Sequence, residues 1–387
     1  MEVLNREDVE MLLQQRDHGP CISMYMPTGK GMEQAKANSI RFKNLLTGVE
    51  EQLDQIGIDD KEKNDLLEPA RKLVDDNYFW ARQSDGFVYF ISPGYSHYYR
   101  LPVDFYEFAA VRSTFHIKPL FRLLASDGQF YVLALSQKDA RLLRCTSVLA
   151  EEIDLSDLIE KFEEKFGKEL PEQYLQFHTR APAPPPGTVR PAVYFGHGGE
   201  IDSALREKLR KYFRFIDEEL QEMLDEKDVP MVLACVDHIS ALYREVSRFP
   251  MLFDEGIRGN PESMSAEELK SKAWDIVKPY FQKQQENAKA RYRELLGTGR
   301  ASNQIEEIVP ASFHGRVSDI FVAVGVQQWG NYNPETEEVK LSEGPLTGNE
   351  DLLDLAAAKT FLNKGNVYAL EEEQMPDNTQ VAAVFRW

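Results

Sequence analysis

The segment from Ala181 to Phe215, APAPPPGTVRPAVYFGHGGEIDSALREKLRKYFRF, constrains the fold more strongly than any other part of the chain. Five prolines between positions 182 and 191 lack amide hydrogens and favour an extended backbone, which excludes a helix or a central strand there. Gly196, Gly198 and Gly199 follow, and they permit backbone conformations that other residues avoid. Two interpretations are open: a mobile surface loop between core elements, or a flexible finger that brings bare backbone into a narrow site.

Length and cysteine usage indicate a multidomain protein of the reducing cytoplasm. The 387 residues exceed the usual size of one hydrophobic core, so two or three domains are expected. No apolar run approaches the roughly 18 residues of a membrane span, and the acidic, amphipathic N-terminus is unlike a signal peptide. Cys21, Cys145 and Cys235 lie in or beside apolar runs, which favours buried free thiols. No Cys/His spacing resembles a zinc site, and we expect neither a metal nor a cofactor.

The formal net charge of −19 limits the kind of nucleic-acid partner. Long-range repulsion from phosphate argues against indiscriminate binding to nucleic acid. An RNA partner must therefore be met through concentrated basic surfaces, or with the help of another protein.

The order of predicted elements indicates a mixed α/β protein with three domains, 1–116, 117–278 and 279–387. In the first, CISMYMP is a strand that stops at Pro27, DGFVYFISPG is a turn and a buried strand, and Pro69 kinks or breaks a helix. In the second, QFYVLALS and ARLLRC form a hairpin, VPMVLACVD is a buried strand, and Ser265 caps a helix together with Glu268. The third begins with a helical break at Pro279, and its strands DIFVAVGV, NVYAL and VAAVFRW with the helix DLLDLAAAKTFLNKG predict an α/β/α sandwich.

The segment after the glycines predicts an amphipathic helix that begins near Ser203. Its apolar stripe consists of Leu205, Leu209, Tyr212, Phe213, Ile216, Leu220, Met223 and Leu224. Its first half carries the cations Arg206, Lys208, Arg210, Lys211 and Arg214, and its second half the acids Asp217, Glu218, Glu219, Glu222 and Asp225. The helix dipole favours the opposite order. A Glu207–Lys211 pair and an N-terminal cap offer one compensation; we favour contact of Arg206, Arg210 and Lys211 with RNA.

Several segments, in collinear order, resemble the archaeal and eukaryotic class-1 peptide release factors. FGHGGEIDSALREKLRKY resembles that family's loop H-G-x-G-G-Q-S-A-L-R, which precedes a long basic helix. The start of the family's middle domain is similar to FHIKPLFRLLASDGQFYVLALSQKDARLLRC. The start of its decoding domain is similar to LLQQRDHGPCISMYMP, and the end of its third domain is similar to GNVYALEEEQMPDNTQVAAVFRW. Five shorter segments resemble the bacterial branch of the release-factor and Pelota superfamily, in which the hibernation protein Balon is a more distant relative. They are FKNLL, LLEPARKL, GNPESMSAEEL, AWDIV and VQQWG.

The resemblance implies a three-domain architecture and a partner. It implies a decoding-like N-terminal α/β domain, a ribonuclease-H-like middle domain that carries the glycine loop, and a C-terminal partner-binding sandwich similar to kink-turn-binding ribosomal proteins. It also implies a cytoplasmic, non-membrane, monomeric protein that binds rRNA and tRNA in the ribosomal A site during hibernation, rescue or quality control. A translational GTPase is an implied partner, because Pelota-like relatives act with one.

The loop His197, Gly198, Gly199 and Glu200 departs from the family at its last position, where release factors carry Gln. An ionised carboxylate donates no hydrogen bond, and a like charge about 4 Å away costs about 4 kcal/mol at an effective dielectric constant near 20. Glu200 could cap the following helix, replace a contact, or act as a general base if its pKa were raised. We expect no enzymatic activity; the alternatives are a peptidyl-tRNA hydrolase that uses Glu200 and an RNA- or protein-binding module unrelated to the ribosome.

Stop-codon reading is not expected, because the Asn-Ile-Lys-Ser turn of the stop-codon readers is replaced by NSIRFKNLL. Asn38, Arg41 and Lys43 are the residues of this stretch able to touch RNA, and an ordinary helix is the equally open alternative.

Three further motifs favour structural roles. His178, His197 and Glu200 form a poor metal triad, because metal sites need a preorganised surrounding shell. His116 and His238 lie beside apolar runs and are expected to be structural. In SFHGRVSDIFV, Gly315 and Arg316 precede a strand, and they indicate either a turn or a contact with RNA or a partner.

Overall fold

The computed structural model describes residues 6–14, 19–124, 128–136, 140–158, 161, 203–224, 229–344 and 349–387. It confirms the mixed α/β class. Two compact units divide the chain: Met1–Gly128 together with Pro279–Trp387, and Gln129–Lys278. The division into three domains at 116/117 and 278/279 stays a prediction.

The N-terminal segment of the larger unit is built on an antiparallel sheet in the order β3-β2-β1-β4. The strands are Cys21–Pro27 (β1), Gly86–Ser92 (β2), Tyr95–Leu101 (β3) and Phe108–Arg112 (β4). Every residue of β2 is buried and β1 ends at Pro27, as the sequence predicts. The helices are Arg6–Gln14 (α1), Met32–Gln55 (α2), Asp60–Val74 (α3), Asn77–Ala81 (α4) and Phe121–Leu124 (α5).

Aromatic packing joins α2 and α4 to this sheet. The ring centroids of Phe42 and Trp80 are 5.0 Å apart, and Trp80 packs against Phe87 of β2 at 5.2 Å. Pro69 lies inside α3, which continues through it. Of the kink or break expected at this proline, the break is therefore absent, and buried Leu66, Leu67 and Ala70 hold the helix against the core.

The C-terminal segment contains a four-stranded sheet in the order β10-β16-β11-β15 and a small sheet in the order β13-β12-β14. Their strands are Ala301–Ser302 (β10), Val317–Ala323 (β11), Trp329–Asn333 (β12), Glu338–Leu341 (β13), Glu350–Asp351 (β14), Asn366–Leu370 (β15) and Val381–Phe385 (β16). β15 is parallel to β11, and β16 is antiparallel to it. The predicted strands and the predicted helix are confirmed; the helices of this segment are Ile305–Phe313 (α9) and Leu352–Leu362 (α10).

The predicted helical break at Pro279 is wrong. One helix, α8, runs from Ala266 to Leu295 with Pro279 inside it, and Ser265 and Glu268 form the predicted capping box at its start. A proline inside a helix costs about 3 kcal/mol. Buried Leu269, Ala273 and Val277 before the proline and Tyr292 after it offset that cost by packing.

The smaller unit is a five-stranded sheet in the order β7-β6-β5-β8-β9. Phe130–Leu135 (β5) and Ala140–Cys145 (β6) form the predicted hairpin, Ala150–Ile153 (β7) extends it, and Met231–Cys235 (β8) and Ile257–Arg258 (β9) add parallel pairs. Two helices, Ser203–Met223 (α6) and Asp237–Val246 (α7), contribute to its core. Leu209, Phe213, Ile216, Leu220 and Leu224 are buried as the stripe predicts, whereas Met223 is exposed.

The three cysteines are buried free thiols, as predicted. Burial raises the pKa of Cys145 to about 12 and that of Cys235 to about 11. Within the described ranges, none of the helices combines the length and apolar character that a membrane span requires.

Candidate functional site

The glycine loop at the centre of the sequence prediction lies outside the described residues. This holds for His178, His197, Gly198, Gly199 and Glu200. Their roles stay predictions, and the site is built from the elements that follow the loop.

The basic half of α6 pairs with one carboxylate of α7. Nη2 of Arg206 donates to Oε1 of Glu245 at 2.8 Å, and Nε of Arg210 donates to Oε2 at 3.0 Å. The hydrogen bond from Arg210 is the main cause that lowers the pKa of the exposed Glu245. Glu207 pairs with Arg210 at 3.6 Å, rather than with Lys211 as one interpretation of the sequence required. Arg206 and Arg210 are therefore neutralised locally, in a solvent-exposed arrangement that an outside anion could replace.

Lys211 is the predicted RNA contact of α6 that remains uncompensated. Its side chain is exposed, as is that of Arg214 one turn later. Among the described side chains, neither forms an ion pair with a carboxylate. An outside anion could therefore contact Lys211 and Arg214 directly, and Arg206 and Arg210 after displacing Glu245.

Asp217, expected on the exposed acidic half of α6, is buried instead. It accepts hydrogen bonds from Gln221 Nε2 (2.7 Å), Tyr243 Oη (3.0 Å), Ser247 Oγ (2.6 Å) and the amide of Arg248 (2.8 Å). Burial and the charge of Asp217 together raise the pKa of Tyr243 well above its ordinary value. This carboxylate fixes α6 against the end of α7 and so positions the basic half.

Asn38 lies in the continuous helix α2 with its side chain fully buried. Its Oδ1 accepts from the amide of Gly29 at 3.0 Å, and its Nδ2 donates to the carbonyl oxygens of Gly29 at 2.8 Å and Trp80 at 3.1 Å. The amide group therefore fixes the turn after β1 and joins it to α4. In this arrangement the side chain has no free polar atom to offer RNA, so the ordinary helix is the interpretation that fits.

The two cations near Asn38 differ in availability. Arg41 donates from Nε to Glu107 at 2.7 Å and from Nη1 to the carbonyl oxygen of Pro27 at 3.0 Å. Lys43 is exposed, and no described carboxylate pairs with it. Of this group, Lys43 is the residue that an RNA phosphate could approach without displacing a partner.

A buried polar cluster in the larger unit was missed by the sequence reasoning. Lys118 Nζ lies 2.7 Å from Asp351 Oδ2, and Asp354 Oδ1 accepts from the amides of Ile117 (2.9 Å) and Lys118. His116 Nδ1 lies 3.7 Å from Asp354 Oδ1. The available signal was the i, i+3 spacing of two acids in the otherwise apolar stretch DLLDLAAA, and a lysine in the apolar stretch FHIKPLF.

Burial controls protonation in this cluster. Desolvation, reinforced by the neighbouring Asp351, raises the pKa of Asp354 to about 8. Desolvation also lowers the pKa of His116 well below its ordinary value, so its ring is neutral at physiological pH. His116 is buried as a structural histidine should be, whereas His238 is exposed in the first turn of α7, so a buried structural role for His238 is wrong.

Gly315 and Arg316 form the predicted turn, with Gly315 at φ +66°. Nη2 of Arg316 donates to the main-chain oxygen of Trp387 at 3.1 Å. Among the described residues, no group of three or more His, Cys, Asp and Glu side chains is arranged to hold a metal ion.

Comparison with known proteins adds a family relationship for the middle of the chain. The model of the bacterial archaeo-eukaryotic release factor family 3 matches residues 129–316, which include the glycine loop and α6. Among curated proteins, none matches the chain.

Three solved structures are similar to the chain at low scores. S. cerevisiae Dom34 has 12% identity over 76% of this chain and 72% of its own, with a TM-score of 0.36. An archaeal translation termination factor, aRF1, has 11% identity over 100% and 99% (TM-score 0.24), and Archaeoglobus fulgidus Pelota has 11% over 100% and 94% (TM-score 0.26). The family match confirms the resemblance stated from the sequence: residues 129–316 are similar to the bacterial archaeo-eukaryotic release factor family 3.

Proposed function

We propose that the protein is a cytoplasmic, monomeric translation factor that binds the ribosomal A site in hibernation, rescue or quality control, without releasing the nascent peptide. The observation that carries this proposal is the family match over residues 129–316, because this range contains the loop and helix on which such factors depend. A translational GTPase is the proposed protein partner.

The rRNA and tRNA contacts of this proposal fall on cations that are exposed or half-buried. On α6 they are Arg206, Arg210 and Lys211, and on α2 they are Arg41 and Lys43. Phosphate groups of RNA can take the place of Glu245 on the two arginines, since charge-assisted pairs to phosphate and to carboxylate have the same geometry. Local cations of this kind are required because the whole chain is strongly acidic.

The proposed loss of peptide release depends on Glu200. At this position the family's Gln both donates and accepts hydrogen bonds, whereas an ionised Glu accepts only. A carboxylate also adds negative charge to a site rich in phosphate. The second candidate, a peptidyl-tRNA hydrolase, remains open because a Glu of raised pKa can act as a general base.

Ribosome binding is tested by co-sedimentation of the full-length protein through sucrose, with and without a translational GTPase. Changing Arg206, Arg210 and Lys211 to Glu should weaken co-sedimentation, and the difference from wild type should shrink as salt rises. Changing the exposed Lys272, Lys278 and Lys283 of α8 to Glu is the charge-matched control. Absence of wild-type co-sedimentation at low salt would favour the module unrelated to the ribosome.

Peptide release is tested separately with ribosomes that carry a labelled nascent peptide. The wild type should bind and release nothing, and Glu200→Gln should release some peptide because it restores the donor and removes the charge. Multiple-turnover release by the wild type that is lost in Glu200→Ala would establish the hydrolase instead.

A further inference from the structure

Three arginines meet at one end of the C-terminal four-stranded sheet. Arg300 directly precedes β10, Arg316 directly precedes β11 and Arg386 directly follows β16. The antiparallel registers bring these ends together, with the amide of Phe385 donating to the carbonyl oxygen of Arg300 (2.8 Å) and that of Arg386 to Arg316 (2.7 Å). The backbone ladder therefore fixes the three residues side by side, and we refer to them as the arginine surface.

The guanidinium groups of the arginine surface are held by main-chain oxygens. Arg316 Nη2 donates to Trp387 O (3.1 Å), and Arg386 donates from Nη1 to Gly315 O (3.0 Å) and from Nη2 to Asn363 O (2.8 Å). Arg300 Nη2 lies 3.4 Å from the carbonyl oxygen of Arg386. Among the described residues, none of the three arginines pairs with an Asp or Glu side chain, and Arg316 Nε is buried without a hydrogen-bond partner.

Five other arginines of the same unit form ion pairs with carboxylates, whereas Arg100 and Arg112 lie over the aromatic rings of Phe79 and Trp329. Arg41, Arg71, Arg122, Arg291 and Arg293 each pair with an Asp or Glu. The chain has 64 acidic and 45 basic residues, so carboxylates are abundant. Three adjacent arginines left without one in so acidic a chain form a surface suited to an anion from outside.

The surroundings extend this positive surface. Lys364, in the turn before β15, is exposed with φ +58°, and no described carboxylate pairs with it. The acids of the adjoining segments are already occupied, since Asp319 pairs with Arg291 and Glu337 with His314. Neither of these two acids is therefore an unpaired carboxylate beside the arginine surface.

We propose that the arginine surface binds phosphate groups of RNA, together with Lys364 and Trp387. Guanidinium forks match the two oxygens of a phosphate, and the main-chain contacts pre-orient them. Trp387 is 66% exposed beside Arg386 and gives an unpaired base an aromatic face to stack on. This last feature favours RNA over an acidic protein segment, which would use the same guanidinium groups but leave the ring exposed.

This inference goes beyond the proposed function, because it concerns protein-free RNA and a surface separate in sequence from α6. The test uses the full-length protein and a short fluorescent RNA hairpin with an unpaired loop. The affinity is measured by fluorescence anisotropy at KCl concentrations between about 0.1 and 1 M. Arg300→Gln with Lys364→Gln removes two cations of little structural use, and Arg316→Gln and Arg386→Gln complete the series. Each lost phosphate contact should lower the salt slope by about 0.9 and weaken binding about eightfold at 0.1 M relative to 1 M salt.

Controls separate RNA contact from misfolding and from general charge. Arg293→Gln and Lys340→Gln remove exposed cations elsewhere in the same segment and should leave RNA affinity unchanged. Trp387→Ala should weaken binding without changing the salt slope.

The proposal is overturned if Arg300→Gln/Lys364→Gln, with unaltered thermal unfolding, binds the hairpin like wild type, or if a polyglutamate peptide binds more tightly than RNA at equal salt. Charge reversal on α6 that abolishes ribosome binding but spares the hairpin would show the two surfaces to be independent.

Discussion

The carboxylate of Glu245 receives two hydrogen bonds from the guanidinium of Arg210, from Nε at 3.0 Å and from Nη2 at 2.5 Å. The same carboxylate accepts from Arg206 at 2.8 Å. One acid of α7 therefore occupies two of the three α6 cations that we propose to contact RNA. An RNA phosphate has to displace it, so Glu245 competes with the partner.

We expect Glu245→Gln to strengthen ribosome binding. The substitution keeps the size of the side chain but removes the charge that holds Arg206 and Arg210. The salt dependence of binding should become steeper, because both arginines then become available to phosphate. Stability should change little, since solvent-exposed ion pairs contribute little to folding. Co-sedimentation over a salt series measures both quantities.

Glu219→Gln is the matched control, because Glu219 lies on α6 with Arg206 and Arg210 but pairs with Lys161 at 2.9 Å, away from the basic half. It should leave binding unchanged. Equal affinity of Glu245→Gln and wild type at every salt concentration would show that Glu245 does not compete.

Asp217 should matter to folding far more than its acidic neighbour. Asp217→Ala leaves the buried Tyr243 Oη and the partly buried Ser247 Oγ and Arg248 amide without their acceptor, which should lower the free energy of unfolding by about 3 kcal/mol. Glu218→Ala removes an exposed acid from the next position and should change it little. Urea denaturation followed by circular dichroism compares the two, and similar midpoints would refute the structural role of Asp217.

The three thiols should resist alkylation while the protein is folded. With a pKa of about 12, only about one in ten thousand Cys145 side chains is ionised at pH 8, and the thiolate is the reactive form. Cys21 is equally inaccessible, at 1% exposure. Labelling by iodoacetamide, counted by mass spectrometry, should begin only as urea unfolds the chain. Rapid labelling of native protein at Cys145 or Cys235 would contradict the burial described above.

Local patterns predicted those elements whose cause is local. The hairpin of β5 and β6, the end of β1 at Pro27 and the buried stripe of α6 follow from alternation, proline chemistry and helical spacing. Each needs only neighbouring residues, and each is confirmed.

The misses involve partners far apart in the sequence. Asn38 is buried because Trp80 offers a carbonyl oxygen 42 positions later, and Asp217 because Arg248 offers an amide 31 positions later. Lys118 and Asp351 are 233 positions apart. No spacing rule links such residues, so the burial of these polar side chains was not predicted. At Pro279 the rule that proline destabilises a helix still applies, but the packing of buried residues on both sides of it outweighs the cost.

Asp354 should make the stability of the larger unit depend on pH. Its pKa is about 8 in the folded state and near 3.8 when unfolded, so between these values the folded state holds one more proton. Stability is therefore lost as pH rises towards 8. His116 acts in the opposite direction, because its lowered pKa makes stability fall as pH drops below about 6.5. Asp354 consequently dominates from about pH 6.5 to 8.

We expect Asp354→Asn to abolish that loss. The Asn oxygen still accepts from the amides of Ile117 and Lys118, and the neutral side chain removes repulsion with Asp351. From pH 6.5 to 9 the wild type should lose up to about 2 kcal/mol of unfolding free energy, whereas Asp354→Asn should stay nearly level. The exposed Asp377, which pairs with Arg293, provides the control Asp377→Asn, with a wild-type profile expected. Denaturation followed by the fluorescence of Trp80 and Trp329 measures these curves; parallel curves for wild type and Asp354→Asn would mean that Asp354 is already ionised at pH 6.5.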